Sequence, residues 1–240
     1  MELGKLIYSI KESSNEQLRN DELFQFIGFC LQHAHESEAQ SYQDVWALWE
    51  TRNNYTMKYF VEFGATDGKT SSNSYLLEQK YGWSGILAEP NPIWHEKLHK
   101  NRSCNITEKC VFSVSGETLE FLMTDAADLA TIKGFGRDDE FKAEREKAKT
   151  ISVETISLYD MLDEYGAPEV IDFMSVDTEG SEYGILNAFF QKNDKYEVRC
   201  ISVEHNFTMR DKLFELMTAN GYKRKFMEIS RWDDFYVKEN

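Results

Sequence analysis

Hydrophobic positions repeat in two different rhythms along this chain. In the first 56 residues they fall at helical spacing: Leu3, Leu6, Ile7 and Ile10, then Leu23, Phe26, Ile27, Cys30 and Leu31. A third helix is predicted after Ser41, carrying Val45, Trp46, Leu48 and Trp49. From residue 59 short apolar runs alternate with helical patterns. Phe60, Val61 and Phe63 form a buried strand that stops at Gly64-Ala-Thr-Asp-Gly68, and a helix is expected over about 71–80. Residues 85–89 read as a short strand, 93–100 as a helix, and 110–114 and 119–123 as strands. Residues 152–165 read as strand then helix. Val170 to Val176 is the most apolar strand-like run, and a helix carrying Ile185, Leu186, Phe189 and Phe190 follows it. After the strand 198–203 and the helix 210–220, residues 222–229 and 235–238 suit a final antiparallel hairpin.

Repeated strand–helix units predict an α/β fold: a Rossmann-like, doubly wound, mostly parallel sheet with helices on both faces. The absence of a Pro- or Gly-rich linker before residue 59 makes residues 1–56 an N-terminal helical extension packed on the core, with 57–240 as the main domain. Its aromatic residues Phe24, Phe26, Phe29, Trp46 and Trp49 suit either a cover for that core or a homodimer contact. The polar stretch 125–149 reads as a helix, either mobile over a site or solvated at the surface.

Composition narrows the function. A hydrophobic content of 41% and an aromatic content of 14% are those of a globular chain. A net charge of −15 disfavours nucleic acid and anionic membrane surfaces as partners. No run approaches the roughly 20 apolar residues of a membrane span. The first residues lack a signal-peptide pattern, and the four cysteines contain no CxxC, so reduced thiols and a cytoplasmic location are expected.

The candidate chemistry lies where apolar runs end. Four of them stop in compact polar groups: Glu62 to Gly68, Glu89 to Asn91, Asp177 to Gly180, and Glu204 to Asn206. Ligands of doubly wound sheets bind outside the carboxyl ends of the strands, so four such groups suggest one site built from several loops. The first turn is not GxGxxG; Gly64 and Gly68 are spaced GxxxG around Ala65. It carries acids and no lysine, which suits a cationic, phosphate-free nucleoside, and S-adenosylmethionine has that chemistry. Glu89, about 20 residues on, is placed to accept hydrogen bonds from a ribose diol. Glu204-His205 is the acceptor-side candidate, with His205 as general base.

Three segments together carry a family resemblance: Val61-Glu-Phe-Gly-Ala-Thr-Asp-Gly68, Gly85-Ile-Leu-Ala-Glu-Pro-Asn91 and Val176-Asp-Thr-Glu-Gly-Ser-Glu182. With Ser41-Tyr-Gln-Asp44 before the first strand, they resemble the FkbM-type family of S-adenosylmethionine-dependent methyltransferases. The resemblance implies a seven-stranded fold and methyl transfer, often to a sugar or polyketide hydroxyl. It implies that Glu62, Gly64, Ala65, Asp67 and Gly68 line the methionine part of the cofactor and that Glu89 holds the ribose. Asn91, Phe112 and Ser113 would border the adenine, with Asp177 near the amino group or the transferred methyl. The acceptor would lie against Glu179, Glu182 and Asn206, with His205, Asp177 and Glu204 as the catalytic set.

Other readings compete. Asp177, Glu179, Glu204 and His205 could hold a divalent metal, although the favoured reading needs none. An NAD-dependent oxidoreductase would need the missing glycine pattern, and a scaffold module would keep the fold without turnover. His95-Glu-Lys-Leu-His99 matches HExxH, but a short pattern with two free positions arises readily by chance, and the downstream Gly and third His are absent.

Overall fold

The computed structural model describes residues 20–52, 57–124, 130–135, 147–205 and 209–239. Two helices precede the sheet, α1 (Glu22–His33) and α2 (Gln43–Thr51). There follow β1 (Tyr59–Phe63), α3 (Tyr75–Gln79), β2 (Ser84–Ala88), α4 (Pro92–Asn101), β3 (Asn105–Thr107), β4 (Cys110–Phe112), β5 (Thr118–Met123) and β6 (Thr131–Ile132). The chain continues through β7 (Lys149–Ser157), α5 (Leu158–Glu164), β8 (Val170–Val176), α6 (Glu182–Lys192), β9 (Glu197–Glu204), α7 (Arg210–Ala219), β10 (Tyr222–Lys225) and β11 (Asp233–Lys238).

The main sheet has seven strands in the order β10-β11-β9-β8-β1-β2-β3. All neighbours are parallel except β11, which runs against both β9 and β10. This is the expected Rossmann-like sheet with its antiparallel C-terminal hairpin. Strand order reverses between β1 and β8, where a doubly wound sheet opens a crevice at its carboxyl edge. Alternation along β1 gives each face its share of the core. Val61 and Phe63 join the cluster with Met161, Leu162, Ile185, Leu186 and Met217 of α5, α6 and α7. Phe60 points the other way, to Trp46, Leu77 and Leu98 of α2, α3 and α4.

The N-terminal helices lay Phe26, Phe29, Trp46 and Trp49 on that second face. Phe26 stacks on Phe226 at 4.7 Å, and Trp46 stacks on Phe235 at 4.8 Å. Trp46 and Phe26 are 0% and 1% exposed. Residues 1–19, which include the helix expected around Leu3 to Ile10, lie outside the described residues.

Within 125–149 the structure differs from the predicted helix. Thr131 and Ile132 form β6, paired with Leu122 and Phe121, while Lys149 already belongs to β7 and pairs with Met123. Thr131 and Ile132 are buried, and pairing with a ready sheet edge overrides the polar composition around them. Residues 125–129 and 136–146 lie outside the described residues. The result is a second sheet, β4-β7-β5-β6, that the sequence pattern revealed only in part. The hairpin's first arm ends at Lys225, because Phe226 has φ 51° and turns the chain away.

Candidate functional site

The turn after β1 is built by close approach. Gly64 has φ +71°, and a side chain there would land on the carbonyl oxygen of Asp177 at the end of β8. Gly68 has φ +76°, and a side chain there would meet Leu98 and Arg102. Only glycine allows both the conformation and the contacts. Four of the turn's five N–H groups are spent internally. Those of Gly64 and Ala65 donate to the Ala88 carbonyl, that of Gly68 to the Ala65 carbonyl, and that of Thr66 to Glu89 Oε2 at 2.8 Å. Asp67 accepts from the backbone of Lys69 and Thr70 and closes its own turn.

Glu62 is 2% exposed and looks into the chain rather than outward. It accepts from Ser72 Oγ at 3.0 Å, from Asn73 N at 2.8 Å and from Ser74 Oγ, and Arg102 Nη1 lies 3.8 Å away. Its carboxylate therefore fixes the 72–74 loop beside the turn. Arg102, fully enclosed between Glu62 and Glu78, was not foreseen, because a lone arginine after a helix carries no sequence signal.

Glu89, at the end of β2, accepts from Thr66 N through Oε2 and from Asn91 N, at 2.7 Å, through Oε1. Burial pushes its carboxyl up to about 7, against the pull of those two N–H groups. Asn91 caps α4 by accepting from Ile93 N. Phe112 and Ser113 border a separate cavity of about 170 Å³, with Leu158, Asp160, Ile185 and Lys192. It is Cys110, two residues earlier on β4, whose thiol is pushed up to about 12 by burial and then by the charge of Glu89.

Acids gather across the switch point. One oxygen each of Asp177, Glu179 and Glu204 lies within 4.8 Å of the others, and all three keep some contact with solvent. Asp177 is raised well above the ordinary carboxylate range by burial first and by Glu179 next; Glu204 is raised by burial and then by Asp177. Across this short gap the Asp177–Glu204 pair thus binds a proton more tightly than separate carboxylates would. Glu179 sits at φ 58°, a conformation held by its surroundings. Glu182 Oε1 accepts from Thr178 N, Thr178 Oγ1 and Gly180 N, and Thr131 Oγ1 on β6 donates to the Glu179 carbonyl at 2.9 Å. Glu182 thus organises the loop that presents Glu179. The role of Thr131 was not legible, because its strand was not.

His205 has a side chain only 1% exposed, with Nε2 3.8 Å from Asp234 Oδ1. Burial lowers its pKa below the ordinary histidine value, against the opposing pull of Asp234. It lies outside the three-carboxylate group. Asn206 lies outside the described residues. Asp233, which pairs in register with Glu204, is held by Gln43 Nε2 at 2.9 Å and by Ser202 Oγ. The Gln-Asp element ahead of β1 thus reaches the far end of the site. Both HExxH histidines lie near Glu108 Oε1, His95 through Nδ1 at 3.5 Å and His99 through Nε2 at 3.1 Å, while His95 Nε2 meets the Glu89 carbonyl at 2.9 Å.

A doubly wound sheet with a glycine turn and an acid-lined carboxyl edge is the architecture of class I methyltransferases. The family described as Methyltransferase FkbM domain matches residues 62–224, more than half of the chain. The chain belongs to this S-adenosylmethionine-dependent methyltransferase family. No curated protein matches it. Among solved structures it is similar to precorrin-6y C5,15-methyltransferase from Geobacter metallireducens GS-15. That match has 11% identity and a TM-score of 0.42, covering 82% of this chain and 86% of that one. It is also similar to the METTL16 MTase domain (13%, TM-score 0.45, 82% and 66% covered) and to the human methyltransferase 10 domain containing protein (13%, 0.42, 82% and 80%). Among the described residues no helix is long and apolar enough to cross a membrane.

Proposed function

We propose that the protein is an S-adenosylmethionine-dependent O-methyltransferase acting on a hydroxyl of a sugar or another small-molecule or glycan acceptor. The observation that carries the cofactor reading is the turn itself. Four of its five N–H groups are already spent and acids surround it, so it is poorly suited to a pyrophosphate. A nucleoside with a cationic tail fits this donor set. Glu89, with one N–H on each oxygen, keeps acceptor capacity for two ribose hydroxyls. Gly64, Ala65, Asp67 and Gly68 shape the wall for the methionine end, and Glu62 acts through the 72–74 loop. Asn91 and the start of β4 border the base.

When bound, S-adenosylmethionine supplies an electrophilic methyl carbon on a cationic sulfur. The chain's own work is to orient the acceptor oxygen, exclude water and receive one proton. The Asp177–Glu204 pair would hold the acceptor hydroxyl, and its anionic member would receive the proton that the hydroxyl gives up. Glu179 narrows the acceptor entrance, and His205 holds the end of β9. The oxygens of Asp177, Glu179 and Glu204 favour one second reading, a divalent cation that orients the acceptor, since hard cations take oxygen ligands. Activity that survives exhaustive EDTA treatment sinks it.

Calorimetry with S-adenosylhomocysteine and NADH tests the cofactor. Saturable binding of the former, reduced at least tenfold by Glu89→Ala, is expected. Binding of NADH alone overturns the reading. Methyl transfer from labelled cofactor to a panel of sugars, phenols and amines then tests the acceptor class. Label on amines only would refute O-methylation.

A further inference from the structure

Two histidines in α4 stand one helical turn apart, and the reading above gives them no task. His95 is half-buried, and its ring bridges two parts of the site. Nε2 lies 2.9 Å from the carbonyl oxygen of Glu89, and Nδ1 lies 3.5 Å from Glu108 Oε1. A carbonyl only accepts, so the proton of this contact is on Nε2. The same Glu108 oxygen meets His99 Nε2 at 3.1 Å.

The Glu89 carbonyl is in an unusual position. β2 ends at Ala88 and its pairing with β3 stops at Thr107, while the Glu89 N–H still donates to the Thr107 carbonyl. Pro90 follows, and proline has no N–H to offer. The peptide that turns the chain away from the sheet therefore has its carbonyl oxygen beyond the ladder. His95, reaching back from the first turn of α4, supplies the donor. Thr66 and Asn91 fix the two carboxylate oxygens of the same residue. Glu89 is thus held at both ends, and His95 is the only side chain among these three donors.

We infer that His95 is a positioning residue for the nucleoside, setting the aim of the Glu89 carboxylate through its backbone. Glu108 lies on the far side of the ring and also meets His99. The motif that resembles a metalloprotease pattern is in this chain a brace behind the ribose site. The inference rests on the reading of Glu89 as the ribose acceptor.

A ligand pair that differs only at the ribose tests it. Binding of S-adenosylhomocysteine and its 2′-deoxy analogue is measured by calorimetry for the wild type, His95→Gln and His95→Phe. Phe keeps a ring without a donor, and Gln keeps an N–H that reaches the same carbonyl. The wild type is expected to prefer the ribose form by at least tenfold. His95→Phe should shrink that preference about fivefold or more, and His95→Gln should restore most of it. A merely structural role weakens both ligands equally. An unchanged preference in a folded His95→Phe, or equal loss for both ligands, overturns the inference while leaving Glu89 in place. If His95→Phe does not fold, loss of the preference in a folded His95→Gln overturns it as well. A wild type that shows no ribose preference removes the Glu89 reading, and this one with it.

Discussion

At the end of β8 and β9 the carboxyl groups of Asp177 and Glu204 come within 4.8 Å of each other, with Glu179 and Glu182 adding negative charge nearby. Like charges this close raise each other's proton affinity. An acid raised in the folded state binds protons more tightly there than in the unfolded chain. Its contribution to stability is complete below the ordinary carboxylate range and is lost as pH rises through the raised value. Glu89 and Asp44, each pushed to about 7 by burial, and Asp233, pushed to about 6 by burial, add to the same trend. The ligand-free protein is therefore predicted to lose stability from about pH 4 towards neutrality. Replacing Asp177 by Asn removes one of the repelling charges. The variant should gain about 1 kcal/mol near pH 8 after discounting for solvent screening, or about 2–4 °C in Tm. It should gain little near pH 4, and it should lose methyl transfer. Thermal melts at the two pH values check this. A loss of stability at both would show that Asp177 is a structural partner rather than a member of a strained pair.

Elements place these residues, and the placement was legible to different degrees. The β1 turn was readable, because GxxxG after an apolar run carries its own geometry. Gly64 shows why: its φ of +71° and its approach to the Asp177 carbonyl leave no room for a methyl group. Gly64→Ala is predicted to cost about 2–4 kcal/mol from backbone strain and overpacking, and to part β1 from β8 at the switch point. Urea unfolding measures it; a cost below about 0.5 kcal/mol would mean that the edges do not touch as described. Glu62 shows the limit of such reading. The sequence puts an acid at the strand end, but not which way it points, and here the 72–74 loop claims it. β6 was hidden for another reason. Two residues between polar stretches have no periodicity of their own, and only pairing with β5 makes them a strand. Thr131 became visible as the tether of the 178–179 loop only once that strand was placed. The HExxH pattern places its histidines against the Glu89 carbonyl and Glu108, contacts that no spacing rule supplies.

At the scale of the whole molecule the question is charge. The net charge of −15 sets a repulsive field for any polyanion, but a field is an average and local cations can defeat it. The region that tests this is β10 with the loop that follows it, which carries Lys223, Arg224, Lys225 and Arg231. Half of this charge, that of Arg224 and Lys225, is already paired within the chain. Arg224 Nη1 meets Asp234 at 3.1 Å, and Arg210 grips the same carboxylate at 2.6 Å. Lys225 Nζ lies 2.5 Å from Glu22 and 3.7 Å from Glu50, which ties β10 to the N-terminal helices. Arg231 stacks on Trp232 at 3.9 Å. A nucleic acid would have to break these pairs to release counterions, and the gain per phosphate would be small. The prediction is that neither a duplex nor a hairpin RNA binds saturably below about 100 µM protein in low salt, the weak end of ordinary non-specific binding. Gel shift and fluorescence anisotropy at two salt concentrations measure it. Low-micromolar binding that weakens steeply with salt would mean that the β10 cations are free to act, and the acceptor would then have to be sought among polyanions instead of neutral hydroxyl compounds.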